Sequence, residues 1–197
     1  MAVSYERFVR SDAPSHAAEL AVVDGLAARL REHLALREDA IDRLHQYSAQ
    51  SAAIQREVAT LLVDALGFRQ EVVITPEDGL VTRSRPDFFY RLADGRGVLA
   101  EVERGGTTTN NHDLKDFWKA HVSPDAQHLF LVVPNANWNE AQRAREHPFQ
   151  RVRLRLRTFF GDRRREVDVL SVHVFGYGRA DAPLPPSPGE AEEHRQP

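Results

Sequence analysis

Cysteine is absent from this chain of 197 residues. Without it the chain can form neither a disulfide nor a thiolate metal site, so a bound metal would take carboxylate, carbonyl, imidazole or water ligands. Hard cations such as Mg²⁺ prefer these ligands. Long apolar runs are missing too, and the N-terminus lacks the apolar stretch of a signal peptide, so we expect a cytoplasmic protein with no membrane partner.

Lysine is nearly absent, since only Lys115 and Lys119 among the 26 basic residues are lysines. This ratio indicates a coding bias toward arginine, so we interpret the two positions as ones where arginine cannot substitute. A lysine ammonium is a compact charge that can lie beside a phosphate or a nucleophilic water, which a guanidinium does not reproduce. The formal net charge is −3, yet residues 140–165 include nine arginines and are locally cationic.

The N-terminal third of the chain has a helical pattern. Residues 1–13 show no periodic signal and are interpreted as an arm. From Ala17, apolar residues recur in alternating steps of three and four up to Leu34 and resume at Ile41, which predicts one long helix or a helical hairpin. This segment either packs on its own domain or contacts another subunit.

The rest of the chain alternates between helical and strand patterns. The predicted helices span 51–66, 111–122 and 138–147, and the predicted strands span 68–75, 87–92, 98–103, 128–133, 151–157 and 166–178. This order predicts an α/β fold with a mixed β-sheet flanked by helices. We assign 1–49 to the arm and a helical extension, 50–180 to the main domain, and 181–197 to a disordered tail rich in Pro and Glu.

Three acids lie on either side of a predicted turn at residues 93–97. Depending on loop length, Asp87 falls opposite Val102, Glu103 or Arg104, and Glu101 shares a strand face with Glu103. Such neighbouring carboxylates repel one another unless a cation lies between them, and a divalent cation resolves the repulsion. Alternatively, the face is simply solvated and paired with arginines of the same hairpin.

The segment after the hairpin, "GGTTTNN", is small and polar and suits a close approach of the backbone to a ligand. It leads into the helix that holds both lysines, four residues apart on one face. Trp118 in this helix is expected in the core, whereas Trp138 could stack on a base if it is exposed. Glu57 lies on the apolar stripe of the preceding helix, where it either has a functional partner or bends out to water.

The sequence "RPDF", the "AEVE" that begins at Ala100 and the helix with Glu57 resemble the PD-(D/E)xK nuclease superfamily over roughly residues 50–135. The resemblance implies a restriction-endonuclease-like core of helix, three strands, helix and strand. It implies that Asp87, Glu101 and the Val102 carbonyl hold Mg²⁺, with Mn²⁺ as a substitute, and that the last motif residue orients or deprotonates the attacking water.

The chain departs from the motif at Glu103, which occupies the usual lysine position. This Glu-x-Glu variant is similar to that of some type II restriction endonucleases. The water could therefore be activated by Glu103, or by Lys115 or Lys119 from the next helix, with Glu57 as an accessory acid.

From this resemblance we expect a Mg²⁺-dependent DNA endonuclease of restriction or defence type that acts as a homodimer on double-stranded DNA. The residues expected to contact nucleic acid are Thr107, Thr108, Asn110, Asn111, Arg151, Arg153, Arg155 and Arg157. The four arginines alternate with apolar residues, so they could equally be the solvated face of an edge strand. Two alternatives remain: an inactive nucleic-acid-binding or regulatory subunit, and an interaction domain built on the N-terminal repeat.

Overall fold

The computed structural model describes residues 3–11, 16–47, 51–71, 85–92, 96–123, 126–161 and 167–180. The strands are β1 Ser4–Val9, β2 Arg69–Gln70, β3 Phe88–Arg91, β4 Gly97–Val102, β5 His128–Pro134, β6 Asn137–Trp138, β7 Ala144–Glu146 and β8 Ser171–Tyr177. The helices are α1 Ala17–Leu36, α2 Glu38–Leu44, α3 Ser51–Leu62, α4 His112–Val122 and α5 Pro148–Gly161. The expected α/β fold with a mixed sheet flanked by helices is confirmed.

Six strands form one sheet in the order β1-β8-β5-β4-β3-β2, and β6 pairs with β7 in a separate hairpin. The three central strands β4, β5 and β8 are parallel, and β1, β2 and β3 are antiparallel to their neighbours. Because parallel strands end at the same edge of a sheet, the segments that follow β4, β5 and β8 meet there.

Helices cover both faces of the sheet. Val98, Ala100 and Val102 of β4 share a core with buried residues of α1, α2 and α3. Leu99, on the opposite face of the same strand, belongs to a second core with buried residues of α4 and α5. The alternation along β4 therefore turns Glu101 toward α4, because it has the same parity as Leu99.

The N-terminal segment is more ordered than expected. Residues 4–9 form β1 and pair antiparallel with β8, so the interpretation of 1–13 as an arm is wrong for these residues. Backbone hydrogen bonds to β8 hold this edge strand, and Phe8 is its one buried residue, which explains why the side chains show no period. α1 packs on its own chain rather than standing free, since Val23, Leu30 and Leu34 lie in the same core as the sheet.

Two predictions near the C-terminal half are wrong. Residues 151–157 are part of α5, not a strand: Val152 and Leu156, one helical turn apart, are buried, while Leu154 between them is 58% exposed. Residues 138–147 hold no helix, because Trp138 pairs with Ala144 across a turn in which Gln142 has φ 53°. The tail 181–197, the turn 93–95 and residues 72–75 of a predicted strand lie outside the described residues.

Among the described residues, no helix is long and apolar enough to span a membrane.

A buried polar network lies at the end of the sheet where β5 and β8 begin. Ser171 Oγ is 2.8 Å from His128 Nδ1 and 3.3 Å from His173 Nε2, and the Tyr5 hydroxyl is 2.8 Å from His173 Nδ1. Burial, with the charges of Arg7 and His128, lowers the pKa of His173 to about 3. His173 is therefore neutral in the folded chain at neutral pH.

We expect acid to destabilise the fold partly through His173. Its folded pKa lies below the unfolded value of about 6.5, so the stability it contributes is present above pH 6.5 and is lost as the pH falls toward 3. His173→Gln should lower the slope of the free energy of unfolding against pH by about 1.4 kcal/mol per pH unit between pH 4.5 and 6. Urea unfolding at several pH values measures the slope, with the exposed His147→Gln as the control; an unchanged slope for His173→Gln contradicts the assignment.

Candidate functional site

The two acids of the motif meet where β3 and β4 come together. The register pairs Phe88 with Ala100, which puts Asp87 opposite Glu101 rather than opposite residues 102–104 as expected. The difference arises because Arg91 pairs with Gly97, so each residue of β3 meets a residue of β4 that is earlier in the sequence than expected. The Asp87 N–H donates to Glu101 Oε2 at 3.2 Å, and the Val102 N–H donates to Asp87 Oδ2 at 2.9 Å.

One lysine of α4 reaches these acids. Lys119 Nζ lies 2.9 Å from Glu101 Oε1 and 2.9 Å from Asp116 Oδ1, so its ammonium joins a strand carboxylate to a helix carboxylate. Lys115 is exposed one turn earlier. We refer to Asp87, Glu101, Asp116 and Lys119 as the acid–lysine cluster.

Asp116 is a member of the cluster that the sequence interpretation missed. It lies one turn before Lys119 on α4, and this i,i+3 spacing of an acid and a scarce lysine is the signal that could have identified it. Its side chain is buried, and Oδ2 has no hydrogen-bond partner among the described residues. A buried carboxylate oxygen without a donor is costly, so this atom is available to a cation or to a further donor.

Burial dominates the electrostatics of the cluster. It raises the pKa of the Glu101 carboxyl, and the charges of Asp116 and Asp87 raise it further against the opposing effect of Lys119. Burial likewise raises the pKa of Asp116, opposed by Lys119 and reinforced by Glu103 and Asp87. Burial alone would lower the pKa of Lys119, but the charges of Asp116 and Glu101 outweigh it and raise the pKa. Three carboxyl groups therefore share one ammonium, and the raised pKa values of Glu101 and Asp116 favour the protonated form of these acids.

Glu103 lies at the edge of this cluster and has its own partner. His112 Nδ1, in the first turn of α4, is 2.8 Å from Glu103 Oε2. The Tyr177 hydroxyl donates to the Glu103 carbonyl oxygen at 2.9 Å, which ties the end of β8 to the end of β4. Glu103 thus shares the α4 face of the sheet with Glu101, as its spacing predicts.

Glu57 lies away from the cluster. It belongs to α3, which packs on the opposite face of the sheet, and its Oε2 accepts a hydrogen bond from Arg37 Nε at 2.9 Å. The structure does not bring this predicted accessory acid to the other acids, because the residues next to it on the α3 stripe pack toward Val98 and Val102 rather than toward Glu101.

The loop between β4 and α4 is folded back on itself. Thr107 and Thr108 are buried, and the Thr107 hydroxyl donates to the Arg104 carbonyl at 3.2 Å, so neither side chain is open to nucleic acid as predicted. Asn110 and Asn111 are exposed. Gly106 has φ 79°, and a Cβ there would lie 2.8 Å from Asn110 Nδ2, so the loop requires glycine at this position.

The predicted arginine face is divided among ion pairs. Arg153 and Arg157 both contact Glu6 of β1, at 3.3 Å and 2.8 Å. Arg155 donates to Asp113 Oδ1 at 2.8 Å and to the Thr108 carbonyl at 3.1 Å. Arg151 is exposed. On a helix, alternate residues point in different directions, so these side chains do not form the continuous strand face that we expected.

The two tryptophans also differ from expectation. Trp118 is 62% exposed on α4, so its assignment to the core is wrong. Trp138 is buried at 7% exposure, which leaves it no free face for stacking on a base.

A cavity of about 460 Å³ opens beyond the C-terminal end of β4, lined by Arg104, Gly106, Asn110, Asn137, Arg145 and Glu146 among others. We call it the strand-end cavity. Arg104 directly follows Glu103, so the cavity begins at the same strand end as the acid–lysine cluster. In open α/β sheets this edge, outside the carboxyl ends of the parallel strands, is where ligands bind.

The sequence matches no protein-family model, and a search of curated proteins found no relative.

The cluster has the donor set of a hard-cation site, although it is not arranged as one among the described residues. No three His, Asp or Glu side chains in that part of the chain form a ready ligand group. Lys119 instead lies between Glu101 and Asp116. The three carboxyl groups around one ammonium and the unpaired Asp116 Oδ2 nevertheless fit a divalent cation bound by carboxylate oxygens.

We expect the two lysines to differ sharply in their effect on stability. Lys119→Met leaves two buried carboxylates unpaired and should lower the free energy of unfolding at pH 8 by about 2–3 kcal/mol, less than for a fully buried pair because part of the side chain is exposed. The loss should shrink at pH 5, since the carboxylates can then take up protons.

The matched control is Lys115→Met, which removes an exposed lysine from the same helix and should change stability by no more than about 0.5 kcal/mol. Urea unfolding of the two variants at both pH values makes the comparison. Equal losses would show that Lys119 does not neutralise the buried acids.

Proposed function

We propose that this chain is a Mg²⁺-dependent nuclease that hydrolyses phosphodiester bonds. The observation that carries the proposal is the contact of Lys119 with Glu101, because it unites paired acids on adjacent strands with a lysine from the following helix. The cluster lies at the carboxyl edge of the parallel strands, beside an open cavity.

The resemblance to the PD-(D/E)xK superfamily supports the same proposal and assigns the roles. Asp87 and Glu101, with the Val102 carbonyl, would hold Mg²⁺, or Mn²⁺ in its place. Such an ion would supply positive charge to the reacting phosphate and would make a nearby water easier to deprotonate. Glu103 would serve as a further ligand or orient that water.

Lys119 takes the part that the motif lysine has in the family. Its ammonium is held at the Glu101 carboxylate from a helix rather than from the strand, which compensates for Glu103 at the motif position. Asp116 positions Lys119 by forming the second ion pair of its ammonium. The lysine would donate a hydrogen bond to a phosphate oxygen or to the attacking water. Lys115 has no part in this scheme, since it is exposed one turn away.

The finer proposals concern substrate and assembly. We propose double-stranded DNA as the substrate, a restriction or defence role, a cytoplasmic location and a homodimer, on the strength of the family resemblance. Two observations favour the alternative of an inactive nucleic-acid-binding or regulatory subunit: Lys119 is occupied by two carboxylates, and Glu103 stands at the lysine position of the motif.

We expect the purified chain to cleave plasmid or linear DNA with Mg²⁺ or Mn²⁺ and to stop when EDTA is added. Asp87→Asn, Glu101→Gln and Lys119→Met should each lower the cleavage rate by about 100-fold or more, because the first two weaken the proposed metal site and the third removes a cation beside the reacting phosphate. Lys115→Met should retain the rate within about twofold. Plasmid nicking and a fluorescent oligonucleotide assay provide the rates.

Melting temperatures of the same variants identify any that fail to fold. Cleavage that survives both Asp87→Asn and Glu101→Gln would place the active site elsewhere. A folded wild-type chain that binds nucleic acid but cleaves neither DNA nor RNA with either metal would favour the inactive subunit.

A further inference from the structure

The strand-end cavity has the size and the walls of a binding site. Its volume of about 460 Å³ falls within the range of small-molecule sites in proteins. Polar and charged side chains contribute much of its lining, and Arg104 and Arg145 supply two guanidinium groups. Such a lining suits a compact polar ligand.

The cavity wall is held in place by hydrogen bonds that do not involve the arginine side chains. Glu146 accepts from Asn137 Nδ2 at 3.0 Å and from the Thr109 hydroxyl at 3.1 Å. Asn137 Nδ2 also donates to the Arg104 carbonyl at 3.0 Å. The carboxylate of Glu146 is therefore engaged within the wall, joining the β6–β7 hairpin to the loop after β4.

Three side chains with donor groups, those of Arg104, Arg145 and Asn110, line the wall. Arg104 Nη2 donates to the Gln46 carbonyl, but its buried Nε has no hydrogen-bond partner among the described residues. The side chain of Arg145 is exposed and makes no ion pair or hydrogen bond with the described residues. The side chain of Asn110 is likewise exposed and has no such partner among them. Two guanidinium groups and an amide are the donor set that proteins use for phosphate oxygens.

The position of the cavity relates it to the acid–lysine cluster. Arg104 is three residues beyond Glu101, which corresponds to roughly 10 Å along an extended strand. A nucleic-acid strand with one phosphate at the cluster could place another phosphate in the cavity, since both sites lie at the carboxyl end of β4.

We propose that the strand-end cavity is a phosphate-binding subsite, in which Arg104, Arg145 and Asn110 hold a phosphate group of a nucleic-acid strand next to the acid–lysine cluster. That the phosphate belongs to a nucleic acid rests on the proposed function. That the cavity binds a phosphate rests on the residues of the cavity alone. This subsite differs from the expected arginine face, because Arg153, Arg155 and Arg157 are engaged with Glu6 and Asp113.

The test compares two arginines of one hairpin in the full chain. Arg145→Ala removes a cavity residue, and Arg143→Ala removes the same charge two residues away, outside the cavity lining. Binding of inorganic phosphate, thymidine 5′-monophosphate, thymidine and a short oligothymidylate is measured by calorimetry in EDTA, so that no cleavage occurs.

We expect Arg145→Ala to weaken binding of both the monophosphate and the oligonucleotide by about tenfold or more, as for a lost charge-assisted phosphate contact, while Arg143→Ala changes either by less than twofold. Thymidine should show no binding that depends on Arg145. The slope of log Kd against log salt for the oligonucleotide should fall by about one with Arg145→Ala.

Each other outcome contradicts the subsite, its occupation by nucleic acid, or the nuclease proposal. Equal effects of the two substitutions would overturn the subsite. Weakened binding of inorganic phosphate and monophosphate without an effect on the oligonucleotide would overturn the nucleic-acid carrier. If the chain cleaves DNA but its phosphate binding does not depend on Arg145, the subsite is refuted and the nuclease proposal stands. Arg145-dependent phosphate binding without cleavage would support the subsite and contradict the nuclease proposal.

Discussion

The ion pairs of Lys119 are the interaction on which the site depends. Glu101 points from the central sheet into the layer between β4 and α4, where water is scarce and a carboxylate is expensive to bury. Asp116 approaches the same layer from α4, and neither acid can stay charged there without a cation. A single ammonium at 2.9 Å from both lets the helix pack on the strand. This arrangement gives a physical reason for a lysine at position 119 in a chain that, apart from Lys115, otherwise uses arginine.

The ion pairs of Lys119 also position the groups at the nearby edge of the sheet. Because α4 is fixed against β4, its first turn brings His112 to Glu103, and the loop before it folds into the tight turn at Gly106. On the other side, the hydrogen bonds between Asp87 and the β4 strand keep the two motif acids paired. The cluster and the strand-end cavity therefore both lie toward the carboxyl end of β4, where the parallel strands end.

Much of this could be predicted from sequence where local patterns decide the outcome. The α1, α3 and α4 helices follow from apolar periodicity, and the β5 and β8 strands from continuous apolar runs, as expected of strands buried on both faces. The meeting of Asp87 and Glu101 follows from a turn signal, although the expected partners of Asp87 were one to three residues too late, because a small change in register changes every partner. The role of Asp116 required knowledge of which face of α4 meets the sheet.

The predictions that were wrong share one cause. In each case, contacts with the rest of the fold decided the outcome, and the local sequence pattern did not show them. Arg151 to Arg157 alternate perfectly with apolar residues, but Val152 and Leu156 also fit one face of a helix, and the packing of α5 on the sheet selects the helix. β1 gave no signal because backbone pairing with β8 holds it and only Phe8 among its side chains is buried. Trp118 was placed in the core by its size alone, whereas its neighbour Phe117 is the residue that faces the sheet.

Anomalous diffraction from crystals soaked in Mn²⁺ tests the central claim most directly, because it locates the ion independently of any activity. The account predicts an anomalous peak within bonding distance of the Asp87 and Glu101 carboxylates, with Lys119 still on the same side of β4. It would be contradicted if, at saturating Mn²⁺, no peak lay at these carboxylates and Lys119 kept both of its ion pairs unchanged.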